Sequence, residues 1–340
     1  MSENPASKID IHSHYIPPAY LDWTRGEGAR HGRKLVEEAD GQLTLLADAR
    51  SIPVPAGFFD VETRLADMDG QGVDCQVVSP PPFLLHYDLA PDLAAELATL
   101  LNDEIAALVA QPGGRFLPMG TLPMQDTDRA LSELERITGV HGMRSIEIGA
   151  SVNGLELDDP GFAEFWSAME TSKLLVFIHP VAPPGRERMN DYHLFNLIGF
   201  LAETTLAAAR LIFSGTLDRH PGLRICLPHA GGMLPWIAGR FDHGFETIAA
   251  CRKDCAAPPS TYIERLYYDT ISHGAAQLEF RADKVGPERI LMGTDYPFRI
   301  GDMKPVEAVM AASAIGASGQ RRILGTNAAR LIGLLQEQAA

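Results

Sequence analysis

The chain has 340 residues, 46% hydrophobic and 21% charged, the balance of one large α/β domain or two ordinary ones. Its net charge of −15 argues against nucleic acid and anionic membranes as partners, because phosphate binding requires clustered Lys and Arg. No run of roughly 18 uninterrupted apolar residues marks a membrane span, and the polar stretch 1–8 lacks the core of a signal peptide, so a cytoplasmic protein is expected.

In chain order, eight short runs rich in strand formers occur at 9–14, 73–79, 116–122, 142–148, 174–179, 224–228, 266–269 and 289–294. Segments with helical spacing of apolar residues lie between them at 91–111, 126–138, 159–172, 190–219, 233–250 and 274–285. Alternation of this kind predicts an α/β fold, a (β/α)8 TIM-like barrel forming a single domain over 1–340, whose functional groups sit at the C-terminal ends of strands. A doubly wound sheet is the alternative, but it does not bring the ends of strands one, five, six and eight to one point. Two segments stand outside the alternation. Residues 17–59, with Pro53-Val54-Pro55, form a long insertion over the barrel mouth. Residues 181–192, with Pro183, Pro184, Gly185, Arg186 and Arg188, rim the same mouth.

Four cysteines do not make a disulfide framework: Cys75 and Cys226 sit in apolar runs as small hydrophobes, and Cys251 and Cys255 read as free thiols.

The chemistry is carried by residues that end the apolar runs. His12 and His14 form a His-x-His pair on the first strand, and residues i and i+2 of a strand point to one side. His179 ends the fifth run, His229 the sixth, and Asp295 follows the eighth. Imidazoles and a carboxylate suit zinc or a similar divalent ion, which polarises oxygens and acidifies bound water. His12, His14 and His179 supply nitrogen ligands and Asp295 an anionic one. His229 either completes the shell or stands beside it as a general acid and base. His273, just past the seventh strand, is a candidate for the pocket rim. The six remaining histidines, His31, His86, His141, His193, His220 and His243, read as surface or packing residues.

The motifs Asp10-Ile-His-Ser-His14, Ile178-His-Pro180, Pro228-His-Ala-Gly-Gly232 and Gly293-Thr-Asp-Tyr-Pro-Phe298 resemble the amidohydrolase-related metal-dependent decarboxylases, with the carboxymuconate-semialdehyde branch nearest. The likeness extends to 68–74, Gly239-Arg240-Phe-Asp242 and 254–262, and so covers nearly the whole chain. It implies zinc, with manganese as the alternative, bound by His12, His14, His179 and Asp295, and His229 as the unligated catalytic group beside Asp295. It also implies that arginines hold substrate carboxylates: Arg50 in the mouth insertion, and Arg240 reaching the active site of a neighbouring subunit, which makes the working unit at least a dimer. The expected activity is non-oxidative decarboxylation of an unsaturated or aromatic acid. The chain departs from the pattern at 189–193, where relatives have an aromatic-rich segment with tryptophan, and at Tyr15, where phenylalanine is common. Those positions border the substrate. A metal-dependent hydrolase or hydratase on the same barrel is the rival reading, and a non-catalytic binding protein the second.

Overall fold

The computed structural model describes residues 7–47 and 50–335; most of the polar N-terminal stretch lies outside them. The strands in chain order are β1 (Ile9–His14), β2 (Arg33–Glu37), β3 (Leu43–Ala47), β4 (Arg50–Val54), β5 (Cys75–Ser79), β6 (Phe116–Pro118), β7 (Gly120–Thr121), β8 (Ser145–Gly149), β9 (Ser151–Val152), β10 (Leu155–Glu156), β11 (Leu175–His179), β12 (Arg224–Leu227), β13 (Tyr267–Asp269) and β14 (Ile290–Leu291). The eight predicted barrel strands are all present, the third divided into β6 and β7 at Met119. Parallel pairing runs β1-β5-β6 and then β7-β8-β11-β12-β13-β14. Met119 N donates to Val78 O at 3.0 Å across the division. Closure comes from Ile11 N on Met292 O and His14 N on Tyr296 O, both 2.8 Å. The architecture is the expected α/β barrel.

Two cores flank the strands. Ile9, Ile11, Val77, Leu175, Phe177, Cys226 and Leu291 pack together inside, joined by Ala328 and Leu331 of the helix Asn327–Leu331, which plugs one end. Val78, Ile146, Ile148, Val176, Ile178, Ile225 and Leu227 face the surrounding helices. The period of two in each strand thus separates an inner from an outer apolar layer. β1 breaks that period once. Its pairing with β5 slips between Asp10 and Ser13, so Ile11 packs with the inner core while the next residue, His12, also meets Phe177, at 4.8 Å between rings. A bulge of this kind re-aims side chains beside a functional site.

The insertion is more ordered than the loop its prolines and glycines suggest. β2, β3 and β4 form an antiparallel sheet behind the helix Pro18–Arg25. Tyr20, Leu21, Leu35, Leu45, Val54 and Phe58 make its core, which continues into Leu84, Leu97 and Leu101 of the barrel layer. Pro53 is tolerated because β4 pairs only with β3 and leaves its other edge free. Short amphipathic strands in a proline-containing stretch carry too little periodicity to be read as a sheet.

The helix expected over 190–219 is divided. A π-helical turn, Phe195–Phe200, runs into Leu201–Phe213, and Gly215 (φ +72°) then separates off Thr216–Arg219. By length and composition Phe195–Phe213 could cross a membrane, but its place between β11 and β12 and its buried Thr204, Ala207, Ala208, Leu211 and Ile212 make it a barrel helix.

Arg64, fully buried, ties the insertion to the barrel. Its guanidinium donates to His14 O, to Gly57 O at 3.1 Å and to Gln76 Oε1 at 2.7 Å, and lies 4.8 Å from the Tyr296 ring centre. Leucine at this position leaves these acceptors unpaired, at roughly 1 kcal/mol or more each. Arg64→Leu is therefore expected to lose about 2–4 kcal/mol in denaturant unfolding; unchanged stability would remove Arg64 from this role.

Candidate metal centre and active site

The ends of β1, β11 and β12 and the turn after β14 bring His12, His14, His179, His229 and Asp295 together, as their positions in sequence require. His12 Nε2 is 3.1 Å from His14 Nε2, and each lies 3.3 Å from Asp295 Oδ1. One ligand atom from each of His12, His14, His179 and Asp295 falls within 4.8 Å of the others, and all four residues are buried. Tetrahedral ligands about 2.0–2.2 Å from a zinc ion stand about 3.3–3.6 Å from one another, close to the three spacings among His12, His14 and Asp295.

Hydrogen placement gives a stronger test of fit. His12 Nδ1 faces Asp269 Oδ2 at 2.8 Å, His14 Nδ1 faces Pro80 O at 3.3 Å, and His179 Nδ1 faces Pro180 O at 2.8 Å. Each partner accepts, so each Nδ1 carries its hydrogen and the neutral ring presents a bare lone pair at Nε2. Those three nitrogens turn toward one another and toward Asp295 Oδ1. His179 Nε2 and Asp295 Oδ1 have no hydrogen-bond partner although both are buried. Converging lone pairs without a donor are costly unless a cation lies between them.

Charge around the cluster points the same way. Burial lowers the pKa of His12 and takes that of His179 well below the usual range, keeping both rings neutral. Burial also opposes charge on His14, but Glu147 and Asp295 outweigh it and raise its pKa. Asp295 is held well below the carboxylate range; burial works against this, and His12, His14 and His229 prevail. Glu147, pushed up to about 7 by burial, receives the Ser79 hydroxyl at 2.6 Å. The surroundings are thus those of a cation-binding point.

Asp269 was absent from the sequence-based candidates, yet it organises the site. Besides His12 Nδ1, it accepts from the backbone N–H of His229 (2.9 Å), Ala230 (2.8 Å) and Ile271 (3.0 Å). It ends β13 as His179 ends β11, and the same strand-end argument applied to acidic residues would have found it. His229 and Ala230 both adopt left-handed backbone, φ +51° and +62°. The two glycines that follow are required by space. A Cβ on Gly231 would lie 2.5 Å from the Tyr268 ring, and one on Gly232 would lie 2.3 Å from Leu201 O. This strained turn places His229 Nε2 3.6 Å from Asp295 Oδ2, with Nδ1 buried and unpartnered.

Access is by two clefts. The larger, about 1620 Å³, is lined by His179, Asp295, Phe200 and Phe298, by Arg50 and Ser51 of the insertion, and by Arg186 and Arg299. The smaller, about 540 Å³, reaches His229 past Trp236, His273 and Phe280, and shares Asp295 and Phe200 with the first. His273 does line a cleft. So do His86 and His193, which the sequence had placed among packing and surface residues. Arg50 lies at the cleft. Arg240 is exposed on the helix Leu234–Thr247 and does not line either cleft of its own chain.

The amidohydrolase family model matches residues 9–334. The chain belongs to the amidohydrolase family. It is 33% identical over 333 residues to a 2-amino-3-carboxymuconate-6-semialdehyde decarboxylase of Dictyostelium discoideum, covering 96% of this chain and 92% of the relative. It is 31% identical to a gamma-resorcylate decarboxylase of a Rhizobium species, over 80% of this chain and 87% of the other. Among solved structures, 5-carboxyvanillate decarboxylase of Sphingomonas paucimobilis superposes with a TM-score of 0.82 at 28% identity, covering 96% and 99% of the two chains.

Replacing Asp269 by Asn leaves one oxygen where four donors converge. Asp269→Asn is expected to weaken divalent-metal affinity by about 10–100-fold, the usual effect of losing a ligand-orienting carboxylate. Competition against a chelator of known affinity checks this, and an unaltered affinity would show that Asp269 orients nothing.

Proposed function

We propose that this chain is a metal-dependent decarboxylase of unsaturated or aromatic carboxylic acids, with His12, His14, His179 and Asp295 as ligands and His229 as the proton-transferring group. The observation that carries the reading is the convergence of bare Nε2 and Oδ1 lone pairs beside a histidine that is not part of that convergence. Full-length likeness to decarboxylases of carboxylated muconate and hydroxybenzoate substrates supports the reaction class. Three imidazoles and one carboxylate suit zinc, and we assign zinc, with manganese the alternative that the carboxylate would also accept.

When bound, the metal supplies a Lewis acid that stabilises negative charge developing on a substrate oxygen. The chain's own residues do the remainder. Asp295 divides its oxygens, Oδ1 toward the ligand cluster and Oδ2 toward His229 Nε2, and so sets a carboxylate beside that imidazole. Asp269 fixes the backbone of the same histidine. From there His229 delivers a proton to the carbon that bears the departing carboxylate. The carbon–carbon bond then breaks, its electron pair returns to the conjugated system, and CO2 leaves. Phe200, stacked on His229 with ring centres 6.1 Å apart, and Phe298 shield the site from water. Arg50, at the cleft on the insertion, holds a substrate carboxylate through its planar fork.

The working unit in this reading is a homodimer or larger, with Arg240 donated across the interface. Exposed apolar side chains near Arg240 support it: Met233, Trp236 and Ile248 around its own helix, and Leu197, Ile198 and Leu206 on the adjoining one. Four unpaired cysteines fit a reducing compartment, and we place the protein in the cytoplasm.

A panel of carboxylated muconates and hydroxybenzoates, followed by CO2 release, tests the reaction. His229→Ala is expected to keep its full metal content and lose at least about 100-fold in kcat. Hydrolysis or hydration without CO2 would favour the rival metal-dependent hydrolase. Full turnover by His229→Ala would remove the histidine from the chemistry.

A further inference from the structure

The smaller cleft is not accounted for by the metal centre it borders. Its volume, about 540 Å³, lies within the roughly 300–1,000 Å³ usual for small-molecule sites. Leu197, Trp236, Ile271 and Phe280 give it apolar walls, and the Trp236 and Phe280 rings pack with centres 5.2 Å apart. Among the described residues, Arg281 is the one Lys or Arg side chain that lines it. In the helix Ala275–Val285, Ala276 and Phe280 stand four residues apart, as do Gln277 and Arg281. The four therefore share one helix face, and all of them line the cleft.

Arg281 differs from the other buried arginines. Arg33 pairs with Asp88, and Arg64 donates to Ser13, His14, Gly57 and Gln76. Arg281 is only 3% exposed, yet its Nε and Nη2 have no hydrogen-bond partner, and no described carboxylate forms an ion pair with it. Asp269 is the carboxylate whose charge acts on it most strongly. That carboxylate is already filled, with His12 Nδ1 and the N–H groups of His229, Ala230 and Ile271 on its lone pairs. Burial lowers the Arg281 pKa only to about 10, so the group is a cation at neutral pH. A buried cation without an acceptor is costly, and the cleft is the side from which an acceptor reaches this one.

Charge and shape define the ligand. One guanidinium matches one anionic charge, and its planar fork meets a carboxylate with two parallel hydrogen bonds. Aromatic and aliphatic walls suit an apolar body. We propose that the smaller cleft is a binding site for a monocarboxylate with an apolar body, its carboxylate on Arg281 and its body against Trp236 and Phe280. The site is distinct from the larger cleft, and the two meet at Phe200 and Asp295. It goes beyond the decarboxylase reading and assigns a role to a residue which that reading leaves unused.

Heavy-atom quenching of tryptophan fluorescence in zinc-loaded protein tests this, with 4-bromobenzoate as probe and neutral 4-bromobenzamide as its control. Bromine quenches an indole that it touches, and of the chain's three tryptophans only Trp236 lines a cleft. Quenching by the acid is expected to saturate at a concentration at least about tenfold below that of the amide, the worth of one charge-assisted hydrogen-bonded contact. Arg281→Gln should bring that ratio near one, and Arg281→Lys, which keeps the charge, should retain part of it. Trp236→Phe should remove the saturable quenching, and zinc content should be unchanged in all three. Equal affinity of the parent for the two probes, an acid preference that survives Arg281→Gln, or saturable quenching that survives Trp236→Phe would overturn the proposal. An Arg281-dependent preference in a protein that releases no CO2 from any acid would sustain the site and count against the decarboxylase reading alone.

Discussion

Three imidazole nitrogens and one carboxylate oxygen meet at a buried point, and with the rings neutral none of them brings a hydrogen. Each histidine spends its Nδ1 hydrogen on a fixed acceptor, Asp269, the Pro80 carbonyl or the Pro180 carbonyl. The rings therefore cannot relieve the crowding by exchanging tautomers without breaking a bond on the far side. What remains is a repulsive arrangement in a desolvated place, stable only with positive charge at its centre. The barrel, the bulge and the strained turn all serve to hold these groups against that repulsion.

The scaffold does this with few parts. The slip in β1 lets Ile11 fill the inner core while His12 still faces the ligand point. Arg64 draws together the carbonyls of His14 and Gly57, so the end of the first strand and the insertion move as one body. Asp269 joins the sixth and seventh strand ends, and the same carboxylate fixes the His12 ring and the backbone of His229. Asp295 itself adopts left-handed backbone, φ +59°, with its N–H on His12 O at 2.8 Å. The four-residue cluster and His229 are thus linked through hydrogen bonds of buried groups, which do not slacken in water. The cleft wall belongs to different parts, the insertion and the loops after β11 and β14, where its arginines and phenylalanines reside.

Much of this was legible in the sequence because its signals are local and periodic. His12 and His14 announce themselves by a spacing of two on an apolar strand, and counting strands places His179, His229 and Asp295 opposite them. Asp269 ends its strand as His179 does, but no motif around Tyr267 and Tyr268 singles it out, and the four donors that make it important are gathered only by the closed barrel. The bulge escaped because it is a property of pairing between β1 and β5, not of either strand. The insertion sheet escaped because strands of five residues with prolines nearby carry little periodicity. Arg281 lies in plain view on an expected helix, but nothing in a sequence distinguishes a solvated arginine from one buried without a hydrogen-bond partner.

Everything above requires that the four groups bind one metal directly. X-ray absorption spectroscopy of protein loaded with a single equivalent of zinc tests it without any assumption about substrate. Nitrogen and oxygen neighbours are expected at about 2.0–2.2 Å with outer-shell scattering from three imidazoles, falling to two in His179→Ala. Zinc surrounded by oxygen alone, or an imidazole count unaltered by that substitution, would contradict it.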